Sequence, residues 1–485
     1  MLPLLAAPLC FLLRKSSLAW LLAFVVALGS LAISITLFQR TLSGEIISYA
    51  MGGWEPPWGI EYRVDRLSAF VLLIVSIIAA VAIAFANKNV AREIPQEKHS
   101  LFYTALLLCL AGLLGITITG DAFNLFVFLE ISSLSSYVLI SFGRERRALT
   151  AAFQYLIMGT IGATMILIGT GFLYMMTGTL NMADLAQRLP GVMDTNTVRA
   201  AFAFLIVGFS IKLALFPLHV WLPNTYAYAP SVVSAFLAAT ATKVAIYSLI
   251  RFLFTIFGAE FAFGEMPLQV ILIFLSVVAV FAGSLSAIFQ LNIKHMLAYS
   301  SIAQIGYIVI GIALVSTVGL GAGILHMFNH ALIKGCLFLA VGCVFYQQGN
   351  ASIDNFKGLG KTMPWTMAAF VIGGLGIIGM PLTAGFVSKW YLVLAALEHG
   401  AVGVMIIISV LLGSLLAVVY IWRIVEAAYF NQPDAAAIEK GEAPLGLLVP
   451  TWILALATVY FGIYTQLSVD AAMQAAQSLL GGELQ

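Results

Sequence analysis

Long apolar runs separated by short polar stretches dominate this chain. Runs long enough to cross a bilayer, or nearly so, occupy 2–13, 17–38, 67–86, 101–119, 122–142, 151–177 and 199–222, then 230–254, 268–290, 297–316, 319–346, 364–398, 401–430 and 446–467. A crossing helix needs about 17–25 such residues, so the pattern predicts an all-α, polytopic membrane protein with about 14 transmembrane helices. The first run is short for a span and predicts a tilted or partial crossing. Gly120-Asp121 divides 101–142 into two helices.

Two spans carry breaks. Pro217 and Pro223 interrupt one, and Gly373, Gly374, Gly376, Gly379, Pro381 and Gly385 interrupt another. Proline removes a backbone donor and clashes with the preceding turn, so each span is expected to open into two half-helices with polar ends at membrane depth. Paired interrupted spans, five helices apart, predict two inverted five-helix repeats with a site at the midplane. The expected division is 1–100 (helices 1–3), 101–254 and 255–430 (the repeats), and 431–485 (a last helix, 14).

Composition narrows the class. The chain is 62% hydrophobic and 9% charged with a mean hydropathy of +1.03, against about 45–50% apolar and about 25% charged for soluble domains. A soluble multidomain enzyme and a disordered chain are excluded. A net charge of +2 offers no basic surface for nucleic acid. Cys10, Cys109, Cys336 and Cys343 form no CxxC pair and no metal-ligand spacing with histidine, so no metal or cofactor is expected. Arg14 and Lys15 follow the first apolar run rather than precede it, unlike a secretory signal.

Loop charges predict orientation. Twelve Lys and Arg fall on one side (Arg14, Lys15, Lys88, Arg92, Lys98, Arg144, Arg146, Arg147, Lys294, Lys357, Lys361, Lys440) and six on the other (Arg40, Arg63, Arg66, Arg188, Arg199, Arg251). The richer side is expected to be cytoplasmic, with both termini outside, in a plasma (inner) membrane.

The remaining charges are the informative ones. Lys212, Lys243, Lys334, Lys389 and Glu130 lie inside spans, whereas Arg423 and Glu426 sit in a last turn and can snorkel. Each interior charge costs about 2.5–3.5 kcal/mol at mid-bilayer and so must face protein or a wet path. His326, His330 and Lys334 recur at i, i+4 and i+8 on one helix face. Histidine titrates near neutrality, and a buried lysine holds its charge at a cost, so such a row can pass a proton.

Plainer readings stand beside these. Glu130 also reads as a structural ion-pair partner, Lys212 and Lys243 as snorkelling lysines, and Lys334 as a packing lysine. His219 also reads as satisfying carbonyls freed by the break, and one of His326 and His330 as a satisfied core histidine. Ser132, Ser133, Ser135 and Ser136 read as helix–helix glue rather than a binding site.

Four runs carry a family resemblance: Asp121-Ala-Phe-Asn-Leu-Phe-Val-Phe-Leu-Glu130, Phe216-Pro-Leu-His-Val-Trp-Leu-Pro223, Leu325-His-Met-Phe-Asn-His-Ala-Leu-Ile-Lys334 and Gly379-Met-Pro-Leu-Thr-Ala-Gly-Phe. They resemble the antiporter-like subunits of Mrp-type cation/proton antiporters, respiratory complex I and membrane-bound hydrogenases. Lys294-His295-Met-Leu-Ala-Tyr-Ser-Ser301 is similar to a loop motif of the family. Val64-Asp65-Arg66-Leu67-Ser68 is similar to its helix 3 entrance, with Arg66 where glycine is usual. The run ending at Glu130 looks most like the Mrp D subunit. Lys389, where glutamate is the alternative, fits that subunit and one complex I relative, and the chain ends shortly after helix 14 without a lateral helix.

The resemblance implies roles. Glu130 would pair with Lys212, Lys243 would pass the proton to the centre, His326, His330 and Lys334 would carry it on, and Lys389 would be the last station. His219 and Lys294 would be accessory. It implies work inside a heteromeric membrane complex, exchanging protons for Na+ or K+, or alternatively proton pumping in a redox complex whose partners hold the cofactors. Thr225-Tyr-Ala-Tyr-Ala-Pro230 departs from the family, since many relatives carry a histidine and a glutamate there. Proton entry on that side must use other groups.

Overall fold

A computed structural model describes residues 1–13, 15–432 and 441–481. Arg14 and Lys440, both in the orientation reading above, lie outside the described residues. The helices are α1 (Leu2–Leu12), α2 (Ser16–Leu42), α3 (Arg66–Glu93), α4 (His99–Ile118), α5 (Ala122–Ser141), α6 (Arg147–Thr177), the short α7 (Met182–Arg188), α8 (Asn196–Leu213), α9 (Trp221–Tyr228) and α10 (Ser231–Ile250). They continue as α11 (Leu268–Ile288), α12 (Ile293–Ala313), α13 (Thr317–Gln348), the one-turn α14 (Leu359–Thr362), α15 (Pro364–Ile378), α16 (Ala384–Leu397), α17 (Gly400–Phe430), α18 (Leu445–Ile463) and α19 (Gln466–Leu479). A small antiparallel hairpin, β1 (Ile47–Ala50) and β2 (Glu61–Val64), lies between α2 and α3 with Ile47 opposite Val64.

Twelve described helices are long and apolar enough to cross a membrane. Adding the short α1 and the broken pair α15–α16 gives the expected fourteen crossings, and the chain is a multi-pass membrane protein. Polar side chains start the spans by accepting the free N–H groups of the first turn. Asp65 accepts from Ser68 N at 2.9 Å, Asp121 from Asn124 N at 2.6 Å, and Ser316 from Gly319 N at 3.0 Å. Asp121 divides α4 from α5 where the sequence placed the division.

Burial sorts the helices into an inner and an outer set. Of the most apolar stretch in each, 94% is buried in α10, α12 and α13 and 83% in α3, but 33% in α2 and α17. The outer helices turn apolar faces towards the bilayer, while the inner ones contain Lys243, His326, His330 and Lys334.

Three expectations change. The run 446–467 is one span in the sequence reading, but it ends at Ile463, and α19 follows. That helix is apolar on one side only: Ala471, Ala472, Ala475 and Ala476 are buried, and it packs on α13 and α3. Arg251 and Lys294, read as loop charges, are both buried. Arg251 can be buried because Asp65 pairs with it and Ser68 Oγ and Tyr247 OH accept from it at 2.8 and 3.0 Å. Arg423 is half-buried and Glu426 exposed near the end of α17, as a snorkelling pair should be.

Candidate functional site

Both expected breaks occur, and each is built around a buried lysine. The first break separates α8 from α9. Ala214 takes the left-handed conformation at φ 61°, which costs a residue with a side chain about 1–2 kcal/mol. The carbonyls this frees are taken by Leu215 N, which donates to Ser210 O at 3.0 Å, and by Trp221 Nε1, which donates to Ile211 O at 3.0 Å. His219 therefore does not fill that role. It stacks on Phe216 at 5.2 Å, and its buried Nδ1 has no partner among the described residues.

Lys212, in the last turn of α8, donates to Ser133 Oγ at 2.9 Å and lies 3.7 Å from Glu130 Oε1. A cavity of about 30 Å³ beside it is lined by Ser132, Ser133, Ser136, Tyr155 and Ser248 among others. That space suffices for about one water. It lies between Lys212 and α10, the helix of Lys243.

The second break separates α15 from α16. Gly379 and Leu382 take left-handed conformations at φ 84° and 70°. Lys389 Nζ donates to the freed carbonyls of Ile377 at 2.9 Å and Ile378 at 3.1 Å, and to Ser414 Oγ at 2.9 Å, with the Tyr307 ring 4.9 Å below. A cation suits this place, because a helix C-terminus carries partial negative charge.

Between the breaks lie the other four. Lys243, fully buried, donates to Ala238 O at 2.5 Å. Lys334 donates to Leu297 O at 2.7 Å and to Ser300 Oγ. His326 bonds Ser388 Oγ through Nδ1 at 2.7 Å and Gln304 Oε1 through Nε2 at 2.9 Å. His330 stacks parallel to it at 5.9 Å, and neither of its ring nitrogens has a partner among the described residues. His326 is thus the satisfied histidine of the two.

Glu130 pairs with Lys212, and the small cavity beside Lys212 reaches α10, the helix of Lys243. His326, His330 and Lys334 lie on successive turns of α13, and His326 bonds Ser388, the neighbour of Lys389. Lys294 stands apart at one end of α12, and His219 lies within the first break. Chemically, the row holds amines and imidazoles whose acceptors are neutral hydroxyls and carbonyls. The ion pairs among the described residues join just one of its lysines, Lys212, to a carboxylate. Such groups can give up and regain a proton without breaking a network of ion pairs.

Residues 119–417 match the family model described as NADH:quinone oxidoreductase/Mrp antiporter, transmembrane. The chain belongs to that family. One relative, NADH-quinone oxidoreductase subunit N of Desulforudis audaxviator, is 43% identical over 98% of this chain and 96% of its own. Another, the D subunit of a Na(+)/H(+) antiporter from Bacillus subtilis, is 30% identical over 100% of this chain and 96% of its own. A chain in the solved Mrp complex of Dietzia sp. DQ12-45-1b superposes with a TM-score of 0.89 at 26% identity, covering 99% of this chain and 96% of that one.

Within this family framework, the residues the sequence reading missed are the neutral partners. Ser133 was grouped with the glue serines. Ser132, Ser135 and Ser136 do bond back to their own helix at 2.7–2.9 Å, but Ser133 serves Lys212. Gln304, Ser300, Ser388 and Ser414 hold His326, Lys334 and Lys389 in the same way. The available signal was a polar residue on a helix otherwise apolar, too common to single these out. Glu93, buried at the end of α3, was also missed because the apolar run stops before it.

Proposed function

We propose that this chain is the proton-translocating subunit of a multisubunit cation/proton antiporter, with Na+ or K+ as the exchanged ion. Protons move along Glu130, Lys212, Lys243, His326, His330, Lys334 and Lys389, relayed by the hydroxyls beside them and by water. It is a transport subunit rather than an enzyme. One observation carries the reading: buried lysines on α8, α10, α13 and α16 are held mainly by neutral acceptors, and two of them, Lys212 and Lys389, sit at broken helices. The broken span is the fourth of five in α4–α10 and again in α11–α17, which supports reading 101–254 and 255–430 as inverted repeats. Its place is a plasma membrane, with the Lys- and Arg-rich face cytoplasmic and membrane subunits as partners.

Glu130→Ala and Lys212→Ala should each abolish cation-driven proton flux in membrane vesicles while the complex still assembles. Intact flux in either variant overturns the row. The 43% identity to an NADH-quinone oxidoreductase subunit favours a second reading, in which the same row is driven by electron transfer in partner subunits.

A further inference from the structure

Glu93 lies outside the row, 5% exposed, at the end of α3. Its Oε1 accepts from Asn89 Nδ2 at 2.7 Å, and its Oε2 accepts from the backbone N–H of Ser231 at 2.9 Å. Asn89 Oδ1 accepts from Val232 N at 3.3 Å. The first turn of α10, the helix of Lys243, is therefore capped from a helix 138 residues away. A local Ser, Thr or Asp caps a helix without burying a charge, whereas a buried carboxylate lacking a counter-ion is costly.

A second buried charge meets the same segment. Lys294, 2% exposed, donates to Ala229 O at 3.1 Å and stands 4.7 Å over the Phe345 ring. Ala229 and Ser231 flank Pro230, so the carboxylate and the amine grip one three-residue stretch. Neither has an ion-pair partner within 4.0 Å among the described residues. The Ser231 hydroxyl beside them is buried without a partner among the described residues, a common mark of an ordered water. Lys294 lies one turn before Leu297 and about 9 Å along α12 from Ser300, the two residues that hold Lys334. The other titratable groups at this end include Lys88 and Arg92 on α3, Glu97 and Lys98 in the following turn, His99 on α4, Arg144, Glu145, Arg146 and Arg147 at the start of α6, Tyr228 on α9, which accepts from Arg147, and His295 on α12. His99 is bonded to Ser16 Oγ and Ile94 O, and His295 to Asn224.

We infer that Glu93 and Lys294 form the proton entry from the Lys- and Arg-rich face into the central row. The Glu93 carboxylate takes a proton from water on that face and passes it to the Lys294 amine that is left once the ammonium has yielded its own proton inward. The resulting ammonium yields it through water and the Ser300 hydroxyl to Lys334. This assignment rests on the proton-translocating reading above.

The test uses the intact complex in membrane vesicles, with flux measured against pH on that face. In Glu93→Gln the amide oxygen still accepts from Ser231 N, but no proton is held. Flux should fall on the order of 100-fold or more and become proportional to proton concentration, because delivery is now limiting. Glu93→Asp should restore most of the flux and the wild-type profile, and Lys294→Gln should repeat the Glu93→Gln profile should the latter not assemble. Flux within twofold of wild type overturns the assignment. So does a loss by one constant factor at every pH, which a purely structural cap would give. A wild-type complex that moves no protons overturns the underlying reading itself, and the assignment falls with it.

Discussion

His326 and His330 occupy adjacent turns of one helix, yet the protein treats them oppositely. His326 has both nitrogens bonded, while His330 leaves both buried without a partner among the described residues. An unsatisfied buried polar atom costs about 1–3 kcal/mol. A residue kept for stability alone would be apolar at position 330. His330→Leu should therefore leave thermal stability unchanged or raise it by about 1–3 kcal/mol while proton flux falls. His326→Leu should lower stability by a similar amount, since it strands Gln304 Oε1 and leaves Ser388 Oγ only its bond to Gly385 O at 3.3 Å. Thermal unfolding and flux measured on both variants check this. Equal destabilisation of the two would mean that His330 has protein partners after all.

The breaks show how an element positions a residue. At the second one, α15 and α16 cross so closely that a Cβ on Gly385 would lie 1.9 Å from Gly376 O, a contact no side chain tolerates. The glycines set the distance at which Lys389, one turn into α16, reaches back to the carbonyls of Ile377 and Ile378. Gly385→Ala should push the half-helices apart, cost about 1–3 kcal/mol and cut flux with it. Gly171→Ala on α6, where a Cβ meets nothing within 4 Å, should do neither; a Gly385→Ala protein with normal flux would separate Lys389 from its carbonyls as a requirement.

These breaks were legible in the sequence because Pro217, Pro381 and the glycines around it leave no room for a continuous helix. The buried lysines Lys212, Lys243, Lys334 and Lys389 were legible too, because charge inside an apolar run is rare. What was not legible depends on contacts between distant segments. Glu93 reads as the polar end of a helix until the start of α10 is found beside it, and Ser133 reads as one serine of four until Lys212 reaches it. The helix α19 escaped for another reason: its alanine face is too weakly apolar to register as a span.

At the scale of the whole molecule, Glu130 lies at a surface. Phe123, Val127, Leu134 and Val138 of α5 are all exposed, and at i, i+4, i+11 and i+15 they form a stripe down one side of the helix. Glu130 lies in that stripe at i+7, with its side chain 26% exposed. Its Oε1 is buried against Lys212 at 3.7 Å, but a partly exposed carboxylate at membrane depth is costly, which favours a second subunit over this side of α5. A cysteine at Val127 should crosslink to a second membrane subunit in native membranes, and purification in mild detergent with mass spectrometry should identify that subunit and its companions. Small membrane proteins without redox centres would fit the cation/proton antiporter. Iron–sulfur or nickel–iron subunits would mean that electrons drive the same row, and the second reading would replace the first. A chain that purifies alone, with Val127→Cys uncrosslinked, would leave Glu130 facing lipid and would refute the argument that a partner covers it.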